Sequence, residues 1–165
     1  MFADDGRVPN HPTLPALVYK GAIDLSGEND PESAIERSFA ANGWGHGQWR
    51  DGIYPFAHCH AMIHEALGIA RGTVTVRLGG DNGELLELAA GDVAVLPAGT
   101  GHQRLSRAAG LVVIGAYPPQ GTHNLCRADN PADRAKALTT IPSVPPPQSD
   151  PVAGKDGPLL SLWRP

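Results

Sequence analysis

The sequence predicts a mainly β, single-domain barrel with one short N-terminal helix, and three observations carry that reading. Gly (20) and Pro (16) are abundant; both interrupt helices and serve tight turns, so they favour short strands joined by loops. Between Gln48 and Tyr117, seven strand-sized segments alternate with Gly-rich turns, a density that fits a sandwich or barrel. Hydrophobic residues make up 41% and charged residues 18% of the 165 positions, which supplies one core and argues against disorder.

Residues 1 to 15 are polar and punctuated by Pro9, Pro12 and Pro15, the texture of an arm. Leu17-Val18-Tyr19 reads as a first short strand. Asp30 followed by Pro31 has the form of an N-cap with proline at the first helical position, and Ile35, Phe39 and Ala40 supply an apolar stripe for a helix ending near Gly43. The strands follow at Ile53 to His60, His64 to Ala70, Thr73 to Leu78, Leu85 to Leu88, Val93 to Leu96, His102 to Leu105 and Leu111 to Tyr117. Gly79-Gly80-Asp81-Asn82-Gly83 is a hairpin signal, since these residues tolerate positive φ; no Lys-Ser/Thr and no helix follows it, as a phosphate-cradling loop requires. Beyond Pro118 the many prolines argue against regular structure, yet Leu159, Leu160, Leu162 and Trp163 are too apolar for water, so this tail is expected to wrap back. The organisation is an arm and helix (1–47), a barrel core (48–117) and a Pro-rich tail (118–165) within one domain.

The formal net charge is −4 and the basic residues are scattered, so the footprint required by nucleic acid or an anionic membrane is missing. A small-molecule ligand is the partner this composition favours. Acids near the amino terminus and the lack of any long apolar run point to a cytoplasmic protein that does not span a membrane. Cys59 and Cys126 read as reduced thiols.

The chemistry concentrates in two runs. On a strand, residues two apart share a face, so His58 and His60 converge while Cys59 points the other way as a packed, small apolar residue. The four residues from Ala61 to His64 suffice to turn the chain back, so Glu65 opens the neighbouring strand and presents a carboxylate. In the second run Pro97 and Gly99 suit a tight turn, after which His102 starts a strand that reaches the same point. Four such groups buried together without a cation would carry a desolvation cost, so the set is read as a divalent metal site.

These runs resemble the two motifs of the cupin superfamily. Gly52, His58, His60, Glu65 and Gly72 meet the first; Gly91, Pro97, Gly99 and His102 meet the second; Ser106 stands where the pattern often has Asn. The resemblance implies an RmlC-like jelly roll, or double-stranded β-helix. The whole chain also resembles the YjlB-like branch of small single-domain cupins, through Asp4-Asp5-Gly6, Pro9-Asn10, Asn42-Gly43-Trp44, Trp49-Arg50, His64-Glu65 and Lys155 to Leu159. That branch implies no particular reaction. Its dimer habit, with the apolar run Leu111 to Ile114 read as partly outward-facing, leads to the expectation of a homodimer.

Strand parity adds Tyr54, Phe56 and Arg104 as pocket residues. Phe56 is read mainly as core, and Arg104 as the anchor for an anionic ligand or the partner of an internal acid. His64 is expected to face outward in a structural or supporting role. His11, His46 and His123 are read as surface or packing residues, and Trp44, Trp49 and Trp163 as packing for helix and tail. Three imidazoles and one carboxylate leave two octahedral positions vacant, which suits Fe, Mn or Ni, with Zn also compatible. The function expected is a metal-dependent enzyme acting on a small anionic or polyol-like molecule, by oxygenase, decarboxylase or isomerase chemistry; the alternative is a non-catalytic module that binds metal and small ligand.

Overall fold

The computed structural model describes residues 1–164. In chain order the elements are β1 (Leu17–Tyr19), α1 (Pro31–Ala41), β2 (His46–Asp51), β3 (His58–Cys59), β4 (Glu65–Arg71), β5 (Thr73–Leu78), β6 (Glu84–Ala89), β7 (Val93–Leu96), β8 (His102–Arg107), β9 (Val112–Tyr117), β10 (Cys126–Arg127), α2 (Pro131–Thr140) and α3 (Pro158–Leu162). The strands form two five-stranded antiparallel sheets, ordered β1-β7-β4-β9-β2 and β10-β3-β8-β5-β6. From β6 to β10 each successive strand changes sheet, the winding of a double-stranded β-helix. The fold is the cupin jelly roll.

Period-two alternation sorts side chains into two layers. Leu67 and Ile69 of β4, Leu96 and Val113 face inward against Val74, Val76, Leu78 and Leu88 of the opposite sheet. Their intervening neighbours Ala66, Val95 and Ile114 face outward and are covered by Ile35 and Phe39 of α1 together with Trp44, Leu159 and Trp163. Glu65 shares the parity of Leu67 and Ile69, so the alternation that builds the core also aims its carboxylate into the barrel. The N-terminus of α1 is fixed as its sequence implies: the Asp30 carboxylate accepts from the Ser33 amide at 3.0 Å and Pro31 occupies the first turn. Such a cap contributes about 1 kcal/mol.

Three expectations need correction. The segment from Ile53 to His60 is no continuous strand, because only His58 and Cys59 pair in the ladder; Gly52 and Pro55 precede them, and proline has no amide hydrogen to donate. Beyond Pro118 the chain is not irregular throughout: α2 and α3 both carry proline in their first turn, where the absent N–H costs nothing, and the Asn130 side chain caps α2. The run from Leu111 to Ile114 is not an outward apolar surface. β9 lies between β4 and β2, and Val113 and Ile114 are fully buried, which removes the sequence argument for a dimer through this strand.

Candidate metal centre

His58 and His102 are direct cross-strand partners on β3 and β8, their ring centroids 4.0 Å apart. His60 follows β3, with its ring 5.7 Å from His58 and 5.6 Å from His102. Ligand-capable atoms of the three imidazoles all lie within 4.8 Å of one another, and all three residues are buried. Glu65, also buried, completes the group: Oε1 is 3.3 Å from His60 Nε2 and Oε2 is 3.3 Å from His102 Nε2.

The turn before His102 is pinned from both sides. The Thr100 amide donates to the Pro97 carbonyl at 3.0 Å, the Gly99 amide to the His60 carbonyl at 2.7 Å, and the Gly101 amide to Asn10 Oδ1 at 3.0 Å. Gly99 has φ +88°, a backbone conformation that glycine adopts without steric cost.

All three rings are held in one tautomeric sense. Nδ1 of His58 lies 3.0 Å from the Phe56 carbonyl, Nδ1 of His102 lies 3.0 Å from the Thr100 carbonyl, and Nδ1 of His60 is hydrogen-bonded to the Asn124 carbonyl. A carbonyl only accepts, so each Nδ1 carries hydrogen and each neutral ring has its lone pair on Nε2. Glu65 is held as well: Oε1 accepts from the Tyr117 hydroxyl at 2.9 Å, whereas the buried Oε2 has no hydrogen-bond donor among the described residues.

Burial, reinforced by the neighbouring His102 and only partly offset by the Phe56 carbonyl, pushes the His58 imidazole down to about 2. Burial also opposes a charge on His60, but the Glu65 carboxylate outweighs it and lifts that ring to about 9. Glu65 stays well below the ordinary carboxylate range for the reciprocal reason: His60 and His102 overcome its desolvation. The metal-free site thus holds one carboxylate and one protonated imidazole.

A cavity of about 330 Å³ opens onto this group. Trp49, Tyr54, Leu67 and Tyr117 form apolar walls, and Arg50 and His123 stand among the other lining residues. Trp49 packs against Gly115, where an added Cβ would meet the indole at 1.9 Å, and its Nε1 donates to the Tyr117 hydroxyl at 2.9 Å. Arg50 is no free cation, since Glu36 holds its guanidinium at 2.6 and 2.7 Å.

Of the residues read from strand parity, Tyr54 lines the cavity and stacks on Phe56 at 4.8 Å. Phe56, Arg104 and His64 are not among its lining residues. Phe56 instead lies under the Arg127 guanidinium, 4.1 Å away. Arg104 keeps the parity of His102, pairing with Val76 as His102 pairs with Leu78, but its Nε donates to the Ile53 carbonyl at 2.9 Å. His64 faces away from the barrel interior but not into solvent. Trp163 packs 4.8 Å from its ring, it is completely buried, and its Nδ1 accepts from the Ala98 amide in the turn leading to His102. Burial, then His11, lowers its imidazole to about 4.

Two cavity residues read as packing from sequence prove to be walls. Trp49 is one, and its signal was its place directly opposite Gly115 across β2 and β9. His123 is the other, its ring 4.8 Å from that of His60. It sits in a loop, and no periodic pattern points to it.

No family model matches the sequence. The protein YjlB of Bacillus subtilis (strain 168) is 35% identical over 162 residues, which cover 98% of this chain and 93% of the relative. The chain belongs to the YjlB family. Among solved structures, this YjlB-family chain is similar to a double-stranded β-helix protein from Klebsiella pneumoniae (20% identity, TM-score 0.40, covering 50% of this chain and 68% of the other). It is also similar to the acireductone dioxygenase of Bacillus anthracis, whose active centre holds a cadmium ion (15% identity, TM-score 0.43, covering 64% and 80%).

Proposed function

We propose that this YjlB-family protein is a metal-dependent enzyme whose divalent cation, Fe, Mn, Ni or Zn, is held by His58, His60, Glu65 and His102. The observation that carries the reading is the shared tautomer: three imidazoles give Nδ1–H to main-chain carbonyls, which leaves each Nε2 as the donor atom available to a cation. The orphaned Glu65 Oε2 supports it, because a buried carboxylate oxygen without a partner is costly unless something positive occupies its lone pairs. Three nitrogens and an oxygen form a donor set compatible with first-row divalent ions.

Bound there, the cation supplies Lewis acidity to an oxygen atom of a small substrate. The chain's own residues do the rest. Trp49, Tyr54 and Leu67 keep the cavity apolar, which excludes water and strengthens each electrostatic contact inside it. Tyr117 fixes the Glu65 carboxylate, and His123 adds a second imidazole along the wall beside His60. With Arg50 neutralised by Glu36 and Arg104 bonded to a carbonyl, an anionic group finds its counter-charge at the metal, while a polyol finds hydroxyl partners there.

The test is to incubate metal-loaded protein with a panel of small carboxylic acids and polyols, following both conversion and oxygen uptake. Turnover that disappears in His102→Ala supports catalysis. Saturable binding without conversion supports the non-catalytic module, and neither binding nor turnover by metal-replete protein overturns both.

A further inference from the structure

Behind the imidazole cluster lies a second chemical feature that the proposed function does not use. Cys59 stands between His58 and His60, but strand alternation sends its thiol to the opposite face, where it joins Cys126, Ala137 and Ile141 in a small buried cluster. Cys59 and Cys126 are direct partners in the antiparallel β3–β10 ladder. Directly opposed residues of such a ladder have Cα atoms about 4.5 to 5.5 Å apart. That interval lies inside the range of about 4.4 to 6.8 Å spanned by disulfides. Both side chains share one face, so no strand has to move to join them.

We propose that Cys59 and Cys126 are a redox-active pair that hydrogen peroxide converts to an intramolecular disulfide. The thiolate of Cys126, the more exposed of the two at 6% against 1%, attacks one peroxide oxygen; the O–O bond breaks, hydroxide leaves and takes up the proton released by the thiol, and a sulfenic acid forms. The Cys59 sulfur then attacks the Cys126 sulfur, the S–O bond breaks, and water leaves with the proton of Cys59. Two thiols and one peroxide give one disulfide and two waters. Burial favours peroxide over bulky disulfides as the oxidant, because only a small molecule reaches sulfurs covered by α2.

Asn124 ties this pair to the cluster in front of it. Its Nδ2 donates to Cys126 Sγ at 3.1 Å, its Oδ1 accepts from the Ala61 and Met62 amides at 3.0 Å, and its carbonyl holds His60 Nδ1. β10 pairs with the sheet through its two residues on β3, so a disulfide at this point fixes the segment that orients His60. Slower metal loss to a chelator is the consequence, and this part rests on the metal centre proposed above.

The experiment treats the purified full chain with hydrogen peroxide and counts thiols after denaturation, with intact mass in parallel. The expected result is loss of both thiols, a mass lower by two hydrogens in the monomer, and full recovery with dithiothreitol. Cys59→Ser and Cys126→Ser each retain one cysteine and should show no such species; if one variant fails to fold, the other suffices. Two intact thiols, stable addition of oxygen to either sulfur, or cross-linked dimers in place of the internal bond would overturn the proposal. These readouts do not depend on metal. Unchanged metal loss after confirmed cross-linking would remove only the coupling to His60.

Discussion

The Tyr117 hydroxyl donates to Glu65 Oε1 at 2.9 Å while accepting from Trp49 Nε1 at the same distance. The carboxylate is therefore oriented by a chain that starts on β2, crosses β9 and ends on β4. Burial, then the Glu65 charge, raises the Tyr117 hydroxyl far above its ordinary pKa, so it remains a donor throughout the physiological range. Tyr117→Phe removes that donor and leaves Glu65 Oε1 with the His60 imidazole, 3.3 Å away, as its remaining partner. Metal affinity is expected to fall by about 10- to 100-fold, the usual range for losing such a supporting contact. Competition with a chelator measures it, and unchanged affinity would detach Tyr117 from the site.

Gly115 and Trp49 set the wall of the cavity by close approach. Because a Cβ at 115 would overlap the indole, Gly115→Ala must displace Trp49 and break its bond to Tyr117. The cost of overpacking is about 1 to 3 kcal/mol. Denaturant melts read the loss, and tryptophan emission should shift to the red as the ring enters water. A variant with wild-type stability and emission would show that the indole does not rest on Gly115.

The Glu65–His60 pair gives the metal-free protein a defined pH dependence. His60 is raised to about 9 from an ordinary value of about 6.5. Its stabilising effect is complete below the ordinary value and is lost as pH climbs through about 9. Metal uptake must expel the same proton, so apparent affinity is expected to rise by about tenfold per pH unit below 9. Calorimetry in buffers of different ionisation enthalpy counts the proton. Uptake without proton release would contradict the charge state assigned to His60.

Asp150 binds the tail to the barrel. It is fully buried, and its Oδ2 accepts from the Tyr19 hydroxyl at 2.6 Å and the Leu159 amide at 3.1 Å. Its Oδ1 accepts from the Val152 and Ala153 amides as well, so Asp150→Ala leaves four donors without their acceptor and is expected to cost about 2 to 5 kcal/mol. Limited proteolysis should then cleave between 150 and 164 sooner than in wild type; equal rates would mean that the tail is held by apolar packing alone.

Local chemistry explains which parts of this molecule were legible from sequence. Thr73–Leu78 and Val93–Leu96 coincide with β5 and β7 because the first alternates cleanly, the second is a short apolar run, and both end at turn residues. Asp30 and Pro31 mark the start of α1 for equally local reasons. His58, His60, Glu65 and His102 come together because strand parity and two short turns determine their directions. Two misses depend on distant packing: His64 faces out of the barrel yet is covered by Trp163, a residue 99 positions later in the chain, and His123 reaches the cavity from a loop. Tyr117 was accessible to parity, since it lies two and four residues beyond Gly115 and Val113 on the inward face of β9. Arg104 shows the limit of parity, which gives a side chain's face but not its partner: it pairs with Val76 as His102 pairs with Leu78, yet the Ile53 carbonyl holds its Nε.

Elemental analysis of natively purified protein reads out whether His58, His60, Glu65 and His102 hold one divalent cation. Wild type should carry about one metal equivalent per chain, with His60→Ala and His102→Ala each purifying metal-poor and melting at lower temperature. Stoichiometric metal and unchanged melting in both variants would contradict that assignment.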